Sequence, residues 1–229
     1  MQIVTVKSYS ELSNLAAKLI AQQIKSKPNS VIGLATGSSP VGTYEKLIEI
    51  HKKDGLDFSQ VTTFNLDEYC DLDRKHPQSY YTFMKEKLFS HINIASKNIN
   101  FPDEDFDKYE DEIKNCGGID LQLLGVGNNG HIGFNEPADV FQNKTHRVHL
   151  AESTIQANAR FFNSADEVPK TAITMGIGTI MAAKKIILVA GAEKAEVINK
   201  LKKETVSPQF PVSILHYHPD CTIIYSSSS

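Results

Sequence analysis

The stretch from residue 31 to residue 40 reads VIGLATGSSP, and it has the composition of a buried strand that turns directly into a helix. Its first half, Val31–Ala35, is apolar without polar alternation, which is typical of a strand covered on both faces. Gly37 then permits a tight turn, while Ser39 can cap a helix and Pro40 suits the first helical position. This stretch predicts the strand–turn–helix unit from which parallel sheets are built.

The same alternation of apolar runs and helical patterns continues on both sides of this unit. Further strands are predicted at Ile3–Val6, Val61–Leu66, Ile119–Leu124, Thr145–Leu150, Thr171–Met175, Ile186–Ala190 and Val212–Leu215. Helices are predicted near residues 12–24, 40–52, 79–89, 153–163, 179–183 and 193–203. The expected fold class is therefore α/β, a single Rossmann-like domain over residues 1–229 with a mainly parallel sheet and helices on both faces. The serine tail at 226–229 is expected to be disordered.

Composition limits the kinds of partner that this chain can bind. A length of 229 residues suits one domain with a full core. Apolar residues make up 41% and charged residues 22% of the chain, which is close to average globular usage. The formal net charge of −3 argues against a general polyanion-binding surface, so no nucleic-acid partner is expected.

Location and metal content are predicted from three absences in the sequence. No apolar run approaches the ~20 residues that span a bilayer, and the N-terminus lacks a basic region followed by an apolar stretch. Cys70, Cys116 and Cys221 lie far apart and match no zinc-binding spacing. We therefore expect a cytoplasmic protein with reduced thiols, no membrane contact and no metal ion.

Candidate site residues follow the predicted strands, because ligands of open α/β sheets gather outside the carboxyl ends of the strands. Thr36, Gly37, Ser38 and Ser39 combine hydroxyls with the free N–H groups of a helix start, which predicts a seat for a phosphate group. The alternative is an ordinary strand–helix turn with a good cap.

Two adjacent carboxylates, Asp67 and Glu68, follow the predicted strand Val61–Leu66. They are compatible with a solvated loop or with a helix cap. The functional interpretation is a general base in a partly desolvated cleft, where burial raises the proton affinity of a carboxylate.

A glycine-rich segment follows the strand at Ile119–Leu124. Residues 125–130 match GxGxxG, but Gly133 and Pro137 interrupt the helix that a dinucleotide-binding motif requires. We interpret the segment as a loop that brings backbone close to a ligand. His131 and Glu136 lie in this loop, and a histidine and a glutamate held together at a strand end favour catalysis.

Two cations complete the candidate site. Lys194 is predicted in the first turn of a helix, where the helix dipole disfavours a cation unless an anion is bound. Arg160 lies among small and apolar residues. Each alone is compatible with an ordinary surface charge, but together with Thr36 to Ser39 they predict a phosphate clamp.

Five motifs in order resemble those of the glucosamine-6-phosphate deaminase family. They are FNLDEY (64–69), HPQSY (76–80), GHIGFNEP (130–137), RFF (160–162) and VPK (168–170). The resemblance implies an enzyme of amino sugar metabolism that converts glucosamine 6-phosphate and water to fructose 6-phosphate and ammonia without a cofactor. On this basis it would be classified as a hydrolase acting on an amino sugar phosphate.

The resemblance also implies roles for individual residues. His131 is similar to the residue that opens the sugar ring, with Glu136 assisting it, and Asp67 matches the base that moves a proton from C2 to C1. Thr36 to Ser39, Arg160 and Lys194 would hold the phosphate. The family pattern often has Asp two residues before the histidine, whereas this chain has Asn129, which we expect to orient the imidazole through a neutral hydrogen bond.

Two alternative functions remain open from the sequence. One is 6-phosphogluconolactonase, a distantly similar enzyme, and the other is a sugar-phosphate-sensing domain that binds without turnover. Relatives that are allosteric hexamers have a longer C-terminal segment, so this chain resembles short relatives and is expected to be a monomer without an activator. Residues 139–146 lack clear periodicity and are predicted to form a mobile lid.

Overall fold

A seven-stranded parallel sheet forms the centre of the computed structural model, which describes residues 1–159, 162, 164 and 167–228. Its strand order is β1-β10-β9-β6-β2-β3-β5. The bounds in that order are Gln2–Val6, Cys221–Ser226, Ile186–Ala190, Leu121–Leu124, Val31–Leu34, Thr62–Asn65 and Ile99–Asn100. The expected mainly parallel α/β sheet is confirmed.

A second, three-stranded antiparallel sheet lies at the carboxyl end of β3. Its order is β4-β8-β7, with bounds Asp67–Tyr69, Thr171–Thr174 and His146–His149. The chain passes from the large sheet to the small one through Leu66, whose carbonyl accepts a 2.7 Å hydrogen bond from the N–H of Met175. This arrangement fixes the start of β4 at the edge where ligands of parallel sheets bind.

Helices cover both faces of the large sheet, as the sequence predicts. The α-helices α1 to α7 span Tyr9–Ser26, Val41–Asp54, Tyr80–Lys87, Phe106–Asn115, Glu152–Asn158, Ile177–Met181 and Ala195–Leu201. On one face, Ile32 of β2 is buried in a core with Leu12 of α1 and Leu47 of α2. On the other face, the adjacent Val31 is buried in a second core with Tyr109 of α4.

The C-terminal region differs from the sequence-based prediction. The apolar run predicted as a strand at Val212–Leu215 is part of a 3₁₀ helix, Pro211–Tyr217, because Pro211 at its first turn favours a helical start. The last strand is instead β10, which finds parallel partners in β1 and β9. Ser226 therefore ends a strand rather than beginning a disordered tail, and the N–H of Ser227 donates to the carbonyl of Val6 at 3.0 Å.

The segment at residues 139–146, predicted as a mobile lid, is anchored to the body of the protein. The N–H of Ile177 donates to the carbonyl of Gln142 at 2.7 Å, and the N–H of Thr179 donates to the carbonyl of Asn143 at 3.1 Å. Glu110 of α4 accepts 2.7 and 2.6 Å hydrogen bonds from the N–H and hydroxyl of Thr145. These contacts argue against a lid at this position.

Among the helices that the structure describes, not one has the length and apolar character needed to cross a membrane.

Candidate active site

A cleft of about 990 Å³ opens at the carboxyl ends of the parallel strands. Its walls come from the segments that follow β2, β3, β6 and β9, together with parts of α3 and α5 and the residues just before α3. The described candidate residues that line it are Thr36, Gly37, Ser38, Ser39, Asp67, Asn129, His131 and Lys194. Arg160 lies outside the described residues, and Glu136 lies behind His131.

Asp67 is the first residue of β4, and its side chain enters the cleft from a buried position. Its Oδ1 atom has no hydrogen-bond partner among the described residues. Burial, reinforced by the neighbouring Glu68 and opposed by a hydrogen bond from Thr36, raises the pKa of Asp67 to about 8. A buried carboxyl with an unpaired oxygen and a high proton affinity is suited to take a proton from a bound ligand.

Glu68 has a structural role that is distinct from that of Asp67, because alternate strand residues point to opposite faces. Its carboxylate accepts 2.9 Å hydrogen bonds from the backbone N–H groups of Tyr69, Tyr80 and Tyr81. The last two belong to the first turn of α3, where a carboxylate satisfies N–H groups that lack helical partners. Burial raises the pKa of Glu68 even though these three bonds oppose the shift. The helix-capping alternative therefore applies to Glu68, and the cleft contains Asp67.

The glycine-rich loop after β6 holds the histidine. A side chain at Gly127 would lie about 2.2 Å from the imidazole carbon of His131, so only glycine leaves room for the ring. The N–H of Gly127 donates to the carbonyl of His131 at 2.9 Å, which closes the loop. No helix occurs in residues 125–145, all of which the structure describes, in agreement with a ligand-facing loop rather than a dinucleotide-binding motif.

His131 and Glu136 form the expected pair. The His131 Nδ1 atom lies 3.3 Å from Glu136 Oε2, an ion-pair distance when the imidazole is protonated. Both side chains are largely buried, with 23% and 12% of their surface exposed. Glu136 can therefore stabilise a positive charge that forms on the imidazole during proton transfer.

Asn129 differs from expectation in what it orients. Its Nδ2 atom donates to Glu136 Oε2 at 2.6 Å, and its Oδ1 atom accepts from the backbone N–H of His131 at 3.2 Å. The short side chain of Asn129 turns toward Glu136, so it holds the partner of the imidazole rather than the ring itself. The hydroxyl of Thr154 in α5 donates to the other oxygen, Oε1, at 2.5 Å.

These contacts explain the charge state of Glu136. Burial by itself would raise the pKa of Glu136, but the contact with His131 and the hydrogen bonds from Thr154 and Asn129 lower that pKa to about 2. The carboxylate is consequently ionised at neutral pH. No sequence pattern identified Thr154, since it lies in a different element from the loop and 18 residues along the chain from Glu136.

The loop at residues 36–39 forms one end of the cleft, although its capping differs from prediction. Gly37 has a φ of 89°, the left-handed region that favours glycine. Pro40 occupies the N-cap position of α2, and no side-chain hydrogen bond caps this helix. Instead, the hydroxyl of Tyr9 donates to the carbonyls of Ser38 and Ser39 at 3.1 and 3.0 Å, so Tyr9 of α1 fixes the loop from behind.

Lys194 faces this loop across the cleft from the segment after β9. It ends a short 3₁₀ helix, Ala192–Lys194, and occupies the N-cap position of α7. Its Nζ atom donates to Oδ1 of Asn128 at 2.6 Å, which holds the ammonium group in the cleft wall. The sequence did not identify Asn128, and its only signal is its position in the glycine-rich loop.

Within residues 1–159, 162, 164 and 167–228, no group of three or more His, Cys, Asp or Glu residues could hold a metal ion.

Comparison with known proteins identifies relatives along the whole chain. A family model described as glucosamine-6-phosphate isomerases/6-phosphogluconolactonase matches residues 6–224. A glucosamine-6-phosphate deaminase of Thermoanaerobacter pseudethanolicus is 53% identical over 232 residues, covering 98% of this chain and 92% of the relative. One of Clostridium acetobutylicum is 51% identical over 237 residues, covering 100% of this chain and 98% of the relative.

Solved structures give the same result for the fold. A monomeric glucosamine-6-phosphate deaminase matches with a TM-score of 0.96 and 44% identity, over 99% of this chain and 97% of that chain. A 6-phosphogluconolactonase of Thermotoga maritima matches with a TM-score of 0.75 over 98% of each chain, but at 19% identity this likeness concerns the fold alone. From the family match and the identities above 50%, the chain belongs to the family of glucosamine-6-phosphate isomerases and 6-phosphogluconolactonases.

Proposed function

We propose that this protein is a glucosamine-6-phosphate deaminase, which converts glucosamine 6-phosphate and water to fructose 6-phosphate and ammonia. The observation that carries the proposal is the buried Asp67, with an unpaired oxygen, in the same cleft as His131. The relatives that are more than 50% identical bear the name of this activity. The family description names isomerases, so an isomerase-type enzyme is supported and the hydrolase classification expected from the sequence is not.

The first step in this proposal opens the sugar ring. The imidazole of His131 accepts a proton from the C1 hydroxyl and returns a proton to the ring oxygen, which leaves an aldehyde at C1. Glu136 lies 3.3 Å from His131 Nδ1 and stabilises the imidazolium while it exists. Because Glu136 stays ionised, it can provide this stabilisation at neutral pH.

The second step moves a proton between two carbons. The carboxylate of Asp67 removes the proton from C2 and delivers it to C1, while a proton passes from the amino group to O1, so that the amino aldehyde becomes an imine at C2 with a hydroxyl at C1. Water then adds to C2 and ammonia leaves, so the ketone of fructose 6-phosphate remains. A positioned base of this kind contributes about 10²–10⁴-fold to the rate.

Binding of the phosphate would fix C1 and C2 against Asp67. The loop of residues 36–39 offers backbone N–H groups and hydroxyls, and Lys194, held by Asn128, offers a positive charge. Arg160 completes the proposed clamp, although its position lies outside the described residues. Holding a reactant in the correct geometry lowers the activation barrier, because the entropy of positioning is lost on binding and not during the reaction step.

The test is to incubate the purified protein with glucosamine 6-phosphate in chelating buffer and to measure ammonia and fructose 6-phosphate together. Equal release of both products, lost in Asp67→Asn, supports the proposal. Saturable binding without product would favour the sugar-phosphate sensor. Hydrolysis of 6-phosphogluconolactone in place of deamination would favour the lactonase, which the structure supports only through a fold shared at 19% identity.

We also propose that the enzyme works as a monomer in the cytoplasm. A solved deaminase at 44% identity is monomeric, and Cys70, Cys116 and Cys221 are free. Light scattering coupled to gel filtration should therefore give a mass near 25.4 kDa. A mass of twice this value or more, independent of protein concentration, would contradict the monomer.

A further inference from the structure

The carboxylate of Glu136 is held by two neutral donors, one on each oxygen. Asn129 donates to Oε2 at 2.6 Å, and Thr154 donates to Oε1 at 2.5 Å. His131 contacts the same oxygen as Asn129. Thr154 is itself buried, with 6% of its surface exposed, so water does not readily take the place of its hydroxyl.

The two donors are not equivalent, because they come from different elements. Asn129 belongs to the same loop as His131 and Glu136, whereas Thr154 lies in α5 and lines the cleft. A carboxylate bonded at Oε2 alone could rotate about its terminal torsion, which is broad for glutamate. The bond to Oε1 removes this freedom and keeps Oε2 directed at the imidazole.

Among the described residues, Thr154 is the one whose side chain donates to Oε1 of Glu136. On the side away from His131, Glu136 borders a second cavity of about 330 Å³. His146, Arg147 and His149 of β7 line the same cavity, and no hydrogen bond or ion pair joins them to Glu136 among the described residues. Loss of the Thr154 hydroxyl would therefore leave Oε1 without a side-chain donor among the described residues.

We propose that Thr154 is a positioning residue for ring opening, which acts by fixing the Glu136 carboxylate against His131 through its hydrogen bond to Oε1. This inference rests on the proposed deaminase function for its kinetic consequences. It assigns to α5 a direct influence on the catalytic loop, in addition to its place in the wall of the cleft.

The test compares Thr154→Val, which removes the hydroxyl, with Thr154→Ser, which keeps it. The matched control is Thr145→Val, because the Thr145 hydroxyl also donates to a glutamate, Glu110, at 2.6 Å but away from the cleft. We expect the kcat of Thr154→Val to fall about tenfold with KM within about twofold, since a bond to a charged group is lost. Thr154→Ser should keep a kcat within about twofold of the original enzyme.

The pH dependence provides a second readout. Without one of the bonds that lower the pKa of Glu136, the carboxylate should take up a proton at higher pH than in the original enzyme. An unchanged kcat in Thr154→Val would overturn the inference. An equal loss in Thr145→Val, or a loss confined to KM, would do the same.

A measurement without turnover separates this inference from the proposed function. Carboxyl-carbon NMR follows the titration of Glu136 in the absence of substrate, with Glu136→Gln identifying the signal. The Glu136 midpoint should rise in Thr154→Val and stay in place in Thr154→Ser and Thr145→Val, even if glucosamine 6-phosphate proves not to be the substrate. An unmoved midpoint counts against the inference whatever the substrate, and Thr154→Ala provides the same comparison if Thr154→Val does not fold.

Discussion

Asp67 is a buried carboxyl and Glu136 a largely buried one, and their pKa values depart from the ordinary values in opposite directions. Burial dominates at Asp67, where Thr36 provides the one opposing hydrogen bond that contributes to its pKa. At Glu136 burial is outweighed by a histidine and two neutral donors. The first carboxyl is therefore suited to exchange a proton with substrate, and the second to remain a permanent negative charge.

Asp67 should titrate far from ordinary aspartates. Carboxyl-carbon NMR of the substrate-free protein should show one aspartate with a midpoint near pH 8, and Asp67→Asn should remove that signal. The same variant should lose about 10²–10⁴-fold in deaminase activity, because a positioned base is gone. An Asp67 midpoint near pH 4 would contradict this account of its environment.

The amide of Asn129 is neutral, so it can donate to the Glu136 carboxylate without repelling its charge. In Asn129→Asp a second carboxylate would lie near Glu136 Oε2, to which Asn129 now donates at 2.6 Å, and two like charges so close cannot both remain ionised at low cost. The pKa of Glu136 should therefore rise well above about 2, a change that carboxyl-carbon NMR of the substrate-free protein measures directly. A Glu136 titration unchanged by Asn129→Asp would show that the amide does not control this carboxylate.

At the scale of elements, β4 and α3 are joined by one side chain. Glu68 accepts from two N–H groups at the start of α3, and glutamine could satisfy only part of this set because its amide has a single acceptor oxygen. Glu68→Gln should destabilise the protein by about 1–3 kcal/mol in urea unfolding. The exposed pair of Lys108 and Glu112 in α4 gives the control, since Glu112→Gln should cost less than about 0.5 kcal/mol. Equal effects of the two substitutions would show that Glu68 does not anchor α3.

The elements that the sequence predicted well are those with long or strongly apolar patterns, such as β2 and β9. The strand β4 was missed because it is three residues long and contains Asp67 and Glu68, which have no apolar alternation. Val212–Leu215 was assigned to the wrong class, since a short apolar run fits a buried strand and a buried helical turn equally well. Pro211 favours a helical start at this position, but proline also occurs at the first residue of a strand, so the apolar pattern alone did not decide between the two.

At the scale of the whole molecule, the site exists because four strands that are adjacent in the sheet end at the same edge. The order β9-β6-β2-β3 places the segments bearing Lys194, His131, Thr36 and Asp67 beside one another. Parallel topology made these residues predictable as candidates, because each follows a strand. Contacts between side chains of different segments, such as Thr154 with Glu136, were not predictable, because they depend on how α5 packs.

The raised pKa of Asp67 also affects the stability of the whole protein. Since the folded-state pKa is about 8 and the ordinary value is 3.8, this carboxyl favours the folded state below about pH 4, and that contribution is lost as the pH rises through 8. The urea midpoint of Asp67→Asn should therefore rise relative to that of the original protein between about pH 5 and 8. Above about pH 8 the difference between the two midpoints should become constant. Asp57→Asn is the control. Hydrogen bonds, above all the one from the Ser59 N–H, lower the pKa of the exposed Asp57, so its urea midpoint should not rise relative to that of the original protein in this range. If the difference in urea midpoint is instead constant across this range, the Asp67 carboxyl ionises as easily in the folded chain as in water. It would then lack the proton affinity on which the proposed base depends.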